Sequence, residues 1–197
     1  QWRQFYAEQR LKIEYRTIAG NLEVKARLVT KGNASHFILV FLKTDIAEKW
    51  VANVTEIKVL KKRIVSDNEV HHWVRTRFDS PWPIKNRESL THSVTTFDDQ
   101  YQSFRIRIQQ DNDFEPASDD YLRMPLVKGI WVASNLDKNL VQIEYIGTAD
   151  PGGNIPGWLE KKVTLKRIKR SFEYLALEIT QQLNERLSDE HFASSSD

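Results

Sequence analysis

Asp150-Pro151-Gly152-Gly153-Asn154-Ile155-Pro156-Gly157-Trp158-Leu159 is where the chain changes its hydrophobic period. Before it, Val141, Ile143 and Tyr145 recur at every second position, the pattern of a strand with one buried face. After it, Trp158, Leu165, Ile168, Phe172, Leu175 and Ile179 fall at helical spacing, and Lys161, Lys162, Lys166, Lys169 and Arg170 largely cover the other side. The stretch itself supplies a break and a start. Proline and glycine end the strand, Asn154 can cap the first free amides, and Pro156 sits where a helix tolerates proline best. The spacing predicts one long amphipathic C-terminal helix, followed over residues 188–197 by a flexible, small and polar tail.

Working upstream, residues 11–30 read as a hairpin, because Leu11, Ile13 and Tyr15 alternate, Ala19-Gly20-Asn21 breaks the run, and Leu22, Val24, Ala26 and Leu28 alternate again. Residues 34–54 lose the alternation and carry dense apolar side chains, which predicts one or two short buried helices with Phe37, Ile38, Phe41, Leu42 and Trp50 facing inward. From Glu56 the period of two returns. His72 lies among Val70, Val74, Thr76 and Phe78; Leu90, His92 and Val94 share one strand face; Phe104, Ile106 and Ile108 share another. Turn residues at 66–68, 80–83 and 98–100 separate these runs. Two longer strands follow near residues 122–134 and 140–148. The order is hairpin, short helices, antiparallel meander, long helix, which makes an α+β domain whose sheet has one apolar face for a single helix to cover.

The quoted stretch resembles the segment by which START domains (steroidogenic acute regulatory protein related lipid transfer) join their last strand to their last helix: Asp or Asn, Pro, Gly or Lys, Gly, any residue, Ile or Leu, Pro, a small residue, Trp, Leu. Upstream, Pro81-Trp82-Pro83-Ile84-Lys85-Asn86-Arg87-Glu88 resembles a second pattern of that family. The resemblance runs from about Leu11 to about Thr180. It departs at Glu160, Lys161 and Lys162, where the family often has Val, Asn and an apolar residue. The N-terminal helix common in the family is reduced here to residues 1–9 or truncated. The resemblance implies a helix-grip fold, a curved antiparallel sheet wrapped around the C-terminal helix and enclosing a hydrophobic cavity. It also implies one domain over residues 1–187 that binds and transfers a single lipid or sterol, with the loop around Trp82 as a gate.

On that reading Phe104, Ile106, Val141, Ile143, Tyr145, Leu165, Ile168 and Phe172 line the cavity; in an ordinary α+β domain the same residues are core. Gly152, Gly153 and Gly157 act as hinges of the gate or simply make a tight turn. His72 hydrogen-bonds a lipid head group or is satisfied within the protein. Arg77 and Arg87 meet a ligand carboxylate or phosphate, or Arg87, which sits in the second pattern, holds a structural partner such as Glu88 or Asp79. Trp82 and Trp158 flank the entrance and touch a membrane surface, or pack on one another. The basic stretch Lys161, Lys162, Lys166, Arg167, Lys169 and Arg170, on the exposed side of the helix, meets anionic lipid transiently or is solvated.

Composition narrows the alternatives. With 29 basic and 27 acidic side chains the net charge of +2 gives no argument for nucleic acid as a partner. The absence of cysteine excludes disulfides, thiolate metal sites and a cysteine nucleophile. The sequence contains no glycine-flanked serine, no His-Glu-x-x-His and no glycine-rich phosphate loop, so no catalytic residue, metal or cofactor is assigned. His71 and His72 are neighbours on a strand, point to opposite faces and cannot chelate together. The expectation is a soluble monomer, in the cytoplasm or exported after loss of an upstream leader. A cyclase- or aromatase-like enzyme using the same cavity, and a lipid-sensing interaction module, are the alternatives.

Overall fold

Alternation at period two builds most of the molecule. The computed structural model describes residues 1–80, 84–98 and 100–194, with side chains except those of His36 and of residues from 187 onward. Its elements are β1 (Arg3–Glu8), β2 (Leu11–Ile18), β3 (Asn21–Lys31), α1 (Ala34–Leu42), α2 (Thr44–Trp50), β4 (Val54–Ser66), β5 (Glu69–Phe78), β6 (Arg87–Phe97), β7 (Ser103–Gln110), β8 (Leu122–Arg123), β9 (Leu126–Asp137), β10 (Leu140–Asp150) and α3 (Gly157–Ser194). The strands form one curved sheet in the order β1-β2-β3-β10-β9-β7-β6-β5-β4, antiparallel along that path, with β8 added in parallel to the start of β6. Register shifts at Val54/Glu56, Val59/Lys61 and Ile64/Ser66 bend β4, as an extra residue in one strand of a pair does. Among the described residues no helix is long and apolar enough to cross a membrane.

The solid core occupies one half of the sheet. Ile13 of β2, Val24, Ala26 and Leu28 of β3, and Val141 and Ile143 of β10 are buried with Phe37 and Val40 of α1 and with Leu165, Phe172, Leu175 and Ile179 of α3. Each such side chain contributes roughly 1.5 to 3 kcal/mol by leaving water. Asn33 caps α1 by accepting the Ser35 amide at 3.0 Å. The Trp50 indole donates to the Val40 carbonyl at 2.8 Å and so ties α2 to α1.

Four expectations change. Residues 3–8 are a strand, not the remnant of a helix: they pair with β2, whose outer edge would otherwise be unsatisfied, and Lys169 of α3 lies over the Tyr6 ring at 4.5 Å. The start of α3 is set by Pro156, whose carbonyl accepts the Leu159 and Glu160 amides, so proline precedes the first helical residue. Trp158 is 70% exposed although it shares the stripe of Leu165 and Phe172, since it stands in the first turn of α3, at the end of the helix. The helix runs on to Ser194, through most of the segment read as a tail, since nothing after Gly157 is glycine or proline to stop it.

The basic stretch of α3 is also partly engaged. Lys161 lies over the Tyr15 ring at 4.1 Å and Lys169 pairs with Glu173 at 2.7 Å, which leaves Lys162, Lys166 and Arg170 as its exposed members.

Candidate functional site

Beside the solid core, α1 and α2 touch the sheet at β4 and β7 but leave the inner faces of β5 and β6 largely uncovered. A cavity of about 410 Å³ lies there under the first turns of α3, in the size range of sites that hold one small organic ligand. Period two decides which side chains face it. On β5 these are His72, Val74, Thr76 and Phe78, and on β6 Arg87, Ser89, Thr91 and Ser93, which the register sets opposite them as Phe78/Arg87, Thr76/Ser89, Val74/Thr91 and His72/Ser93. Three small hydroxyl residues in a row are what leaves the space unfilled. Ile57 and Val59 of β4 and Ile106 and Ile108 of β7 continue the wall on either side.

Aromatic rings close the cavity against the core. Trp131 stacks on Phe172 with centroids 5.4 Å apart, meets Phe41 edge-on at 5.2 Å and Tyr145 at 4.7 Å. Tyr145 lies along Gly147 and Gly129, which face each other across β10 and β9; a Cβ at either glycine would collide with its ring. Burial pushes the Tyr145 hydroxyl up to about 12, so it is a neutral donor.

His72 is 7% exposed and its Nδ1 has no partner among the described residues. Burial first, and then the charges of Lys62 and His71, push its pKa below the ordinary value, so the ring is neutral at pH 7. A histidine whose folded pKa is depressed stabilises the fold fully above about pH 6.5 and loses that contribution as pH falls through the folded value. The urea midpoint of the wild type is therefore expected to fall between pH 7.5 and 5.5. His72→Gln should flatten part of that slope and leave the remainder to His92, which burial depresses in the same direction. An unchanged slope in the variant would remove His72 from the account.

At the other end the cavity is bounded by Ser80, Ile84, Pro151, Ile155, Leu159 and Glu160. Arg87 is 5% exposed and donates to the carbonyls of Lys85, Pro151 (3.2 Å) and Gly152 (3.0 Å). Gly152 (φ +68°) and Gly153 (φ +78°) are thus a turn wrapped on a guanidinium, in the backbone region that favours glycine. Arg167 of α3 lines the same end and donates to the Asp79 carbonyl at 2.9 Å.

The residues singled out from sequence divide accordingly. His72, Ile106, Tyr145, Ile168, Phe172 and Arg87 border the cavity. Phe104, Val141, Ile143 and Leu165 stand in the packed core instead, since α1 covers that half of the sheet and Phe41 meets Phe104 at 5.4 Å. Arg77 is on the outer face, one position out of phase with His72 and Thr76, where it binds Glu88 at 3.1 Å and lies over Tyr121. Arg87 takes backbone carbonyls, not Glu88 or Asp79, because Glu88 as its strand neighbour points the opposite way. Trp82 lies outside the described residues.

Sequence reasoning set Arg167 on the exposed basic face, where the structure turns it to the cavity, and passed over Trp131 and the Ser89-Thr91-Ser93 row. The last had a signal: these odd positions of β6 are all small and polar, while Leu90 and His92 between them belong to the outer face. That face is itself covered, by Trp73, which stacks on His92 at 4.4 Å, and by residues 111–114, whose Asp111 accepts the Trp73 indole at 2.9 Å and whose Phe114 stacks on its ring. Its apolar character therefore made it look like the inner one.

No family model matches the sequence. Over 160 residues, 80% of this chain and 76% of the other, it is 25% identical to an uncharacterized protein of Pseudomonas aeruginosa. The structure is similar to that of a STAR-related lipid transfer protein of Xanthomonas axonopodis (TM-score 0.77, 23% identity, 91% of this chain and 98% of that one). It is similar to human StAR-related lipid transfer protein 5 (TM-score 0.76, 13% identity, 91% and 86%). More distantly it is similar to the Zhui aromatase/cyclase of Streptomyces (TM-score 0.54, 11% identity, 84% and 94%). The chain has the helix-grip fold of START-related proteins.

Proposed function

We propose that this helix-grip chain binds one hydrophobic ligand, a lipid or sterol, in the cavity between β4 to β7 and α3, and carries it between membranes. The observation behind the reading is a cavity with mostly apolar walls whose few polar groups sit at its ends and along one strand. Each methylene moved there from water is worth about 0.8 kcal/mol, so a long chain or a polycycle is held firmly without many polar contacts. Exchange requires an opening, and the segments around Gly152 and Ser80 at the Arg87 end, together with α3, are the parts that would have to separate.

The test is to isolate the protein gently from a lipid-rich lysate, extract it with organic solvent and identify what it carried by mass spectrometry, beside Ile168→Trp, which fills the cavity from α3. The expected result is one lipid class in near-equimolar amount, reduced at least tenfold in a variant that keeps its thermal midpoint. If nothing co-purifies, and added sterols, phospholipids and fatty acids all fail to bind, the reading is wrong.

A second reading, an enzyme acting on a hydrophobic substrate, draws on His72, whose Nδ1 has no partner among the described residues, and the Tyr145 hydroxyl, two groups able to move or donate a proton that both line the cavity. It predicts that a bound hydrophobic substrate is chemically changed on incubation and that His72→Gln stops the change without preventing binding.

A further inference from the structure

Among the described residues five guanidiniums pair with carboxylates: Arg16 with Glu23, Arg27 with Glu144, Arg75 with Glu56 and Glu115, Arg77 and Arg123 with Glu88. The two that line the cavity do not. Arg87 and Arg167 both line its loop end, and neither forms an ion pair among the described residues. The three hydrogen bonds of Arg87 go to backbone carbonyls, which solvate its charge without cancelling it. Arg167 uses one Nη2 hydrogen on the Asp79 carbonyl, and its other N–H groups have no acceptor among the described residues.

Two cations so placed oppose each other. Burial and the charge of Arg87 both act against the charged form of Arg167, yet a guanidinium keeps its proton in a protein. The nearby acids do not answer them. Glu88 is turned to the outer face and held by Arg77 and Arg123. The Asp79 carboxylate accepts from Asn86, and that of Asp150 from the Gly152 amide. Glu160 lines the same end but forms no ion pair with either arginine among the described residues, and burial and Asp150 act against its charged form.

The opposite end has a different character. His72 lies six residues along β5 from Phe78, the cross-strand partner of Arg87, which is roughly 20 Å at the rise of a strand. There the wall ends in a neutral imidazole and the aromatic floor. An apolar cavity lined at one end by two arginines without carboxylates and at the other by no charged side chain, Lys62 across from His72 being exposed outside it, matches an amphiphile in both charge and direction.

We propose that the cavity takes an amphiphile with an anionic head, a carboxylate or a phosphate, seated on Arg167 beside Arg87 with its apolar body running toward His72 and Trp131, and that Arg167 determines this preference. The proposal rests on the reading of the cavity as a hydrophobic-ligand site and adds the chemistry of the head.

The experiment compares binding of oleate, oleoyl lysophosphatidate and oleyl alcohol, which share one chain and differ in head, to the wild type, Arg167→Gln and Arg167→Lys, all checked for an unchanged thermal midpoint. The wild type should bind at least one of the two anions tenfold or more tightly than the alcohol, and the tighter anion tells carboxylate from phosphate. Arg167→Gln should abolish that preference while leaving alcohol binding within twofold, and Arg167→Lys should restore part of it. Equal binding of all three by the wild type, or equal weakening of all three by Arg167→Gln, overturns the anion proposal and leaves the hydrophobic site standing. If the alcohol and both anions all fail to bind the wild type, the hydrophobic-ligand reading falls and the proposal falls with it.

Discussion

Glu88→Ala is expected to lower the unfolding free energy by about 3 kcal/mol, which for a chain of this size corresponds to a fall of roughly 10 °C in thermal midpoint. The Glu88 side chain is 1% exposed, and it accepts from Arg77 Nε at 3.1 Å and from Arg123 Nη2 at 2.9 Å. Arg123 donates onward to the carbonyls of Glu115 and Pro116, so this carboxylate anchors residues 115–123 on the outside of the sheet. Removing it leaves two guanidiniums without their anion. Loss of one partner from a buried pair costs about 3 to 5 kcal/mol, and the lower figure applies because the Arg77 side chain is still 23% exposed.

Two controls separate this account from a simple packing defect. In Arg77→Met/Glu88→Ala the second change should cost less than it does alone, because with Arg77 gone it strands one guanidinium without its anion and not two. The pH dependence has a definite sign. Burial raises the Glu88 pKa, but hydrogen bonds from Arg123 and Arg77 outweigh it and hold the carboxyl below the ordinary range. Its stabilisation is then fully present above about pH 4.3 and lost as pH falls through the depressed folded value. The variant should show a shallower acid limb, and additive double-mutant energies or an unchanged acid limb would rule the network out.

Gly32→Ala should be comparably damaging, also by about 3 kcal/mol, for a different reason. Gly32 turns the chain from β3 into α1 at φ +126°, where L side chains are strained, and a Cβ there would overlap the ring of Phe37, which is 1% exposed. Backbone strain and overpacking are each worth about 1 to 3 kcal/mol. Phe37 cannot swing away because it is packed with Val40 inside the core, and the Gly32 amide is committed to the Asn139 carbonyl at 3.0 Å. Gly20→Ala is the matched control: its φ is +85°, but nothing stands within 4 Å of the added methyl, so only the backbone cost of about 1 kcal/mol should appear. Equal urea midpoints for the two variants would show that Phe37 has room to move.

Both sites bear on function because they hold the walls of the cavity. Glu88 adjoins Arg87, and its partner Arg123 belongs to the parallel β8 that pairs with β6 at Arg87 and Glu88. Gly32 positions α1, whose Phe41 contributes to the aromatic floor beside Trp131.

Much of the architecture could be read from spacing. The strands around Val24, Val74, Ile106 and Ile143, the two short helices around Phe37 and Trp50, and the long helix through Leu165 and Phe172 are each announced by a local period. The site was less legible. Val141 and Ile143 have the same alternation as Val74 and Ile106, yet the first pair is core and the second lines space. Arg77 and Arg87 look alike in sequence, and the phase of a strand sends one outside and the other to the cavity.

The chain by itself thus determined its elements, their order and the change of period at Asp150 to Leu159, because these depend on neighbours within a few residues. Only the tertiary structure decided that Ser89, Thr91 and Ser93 face an unfilled volume, that Arg167 ends beside Arg87 without a carboxylate, and that Phe104 is core. Whether a wall residue meets a ring or a void depends on how far α1 and α2 extend across the sheet, a relation among segments distant in sequence that no local pattern encodes.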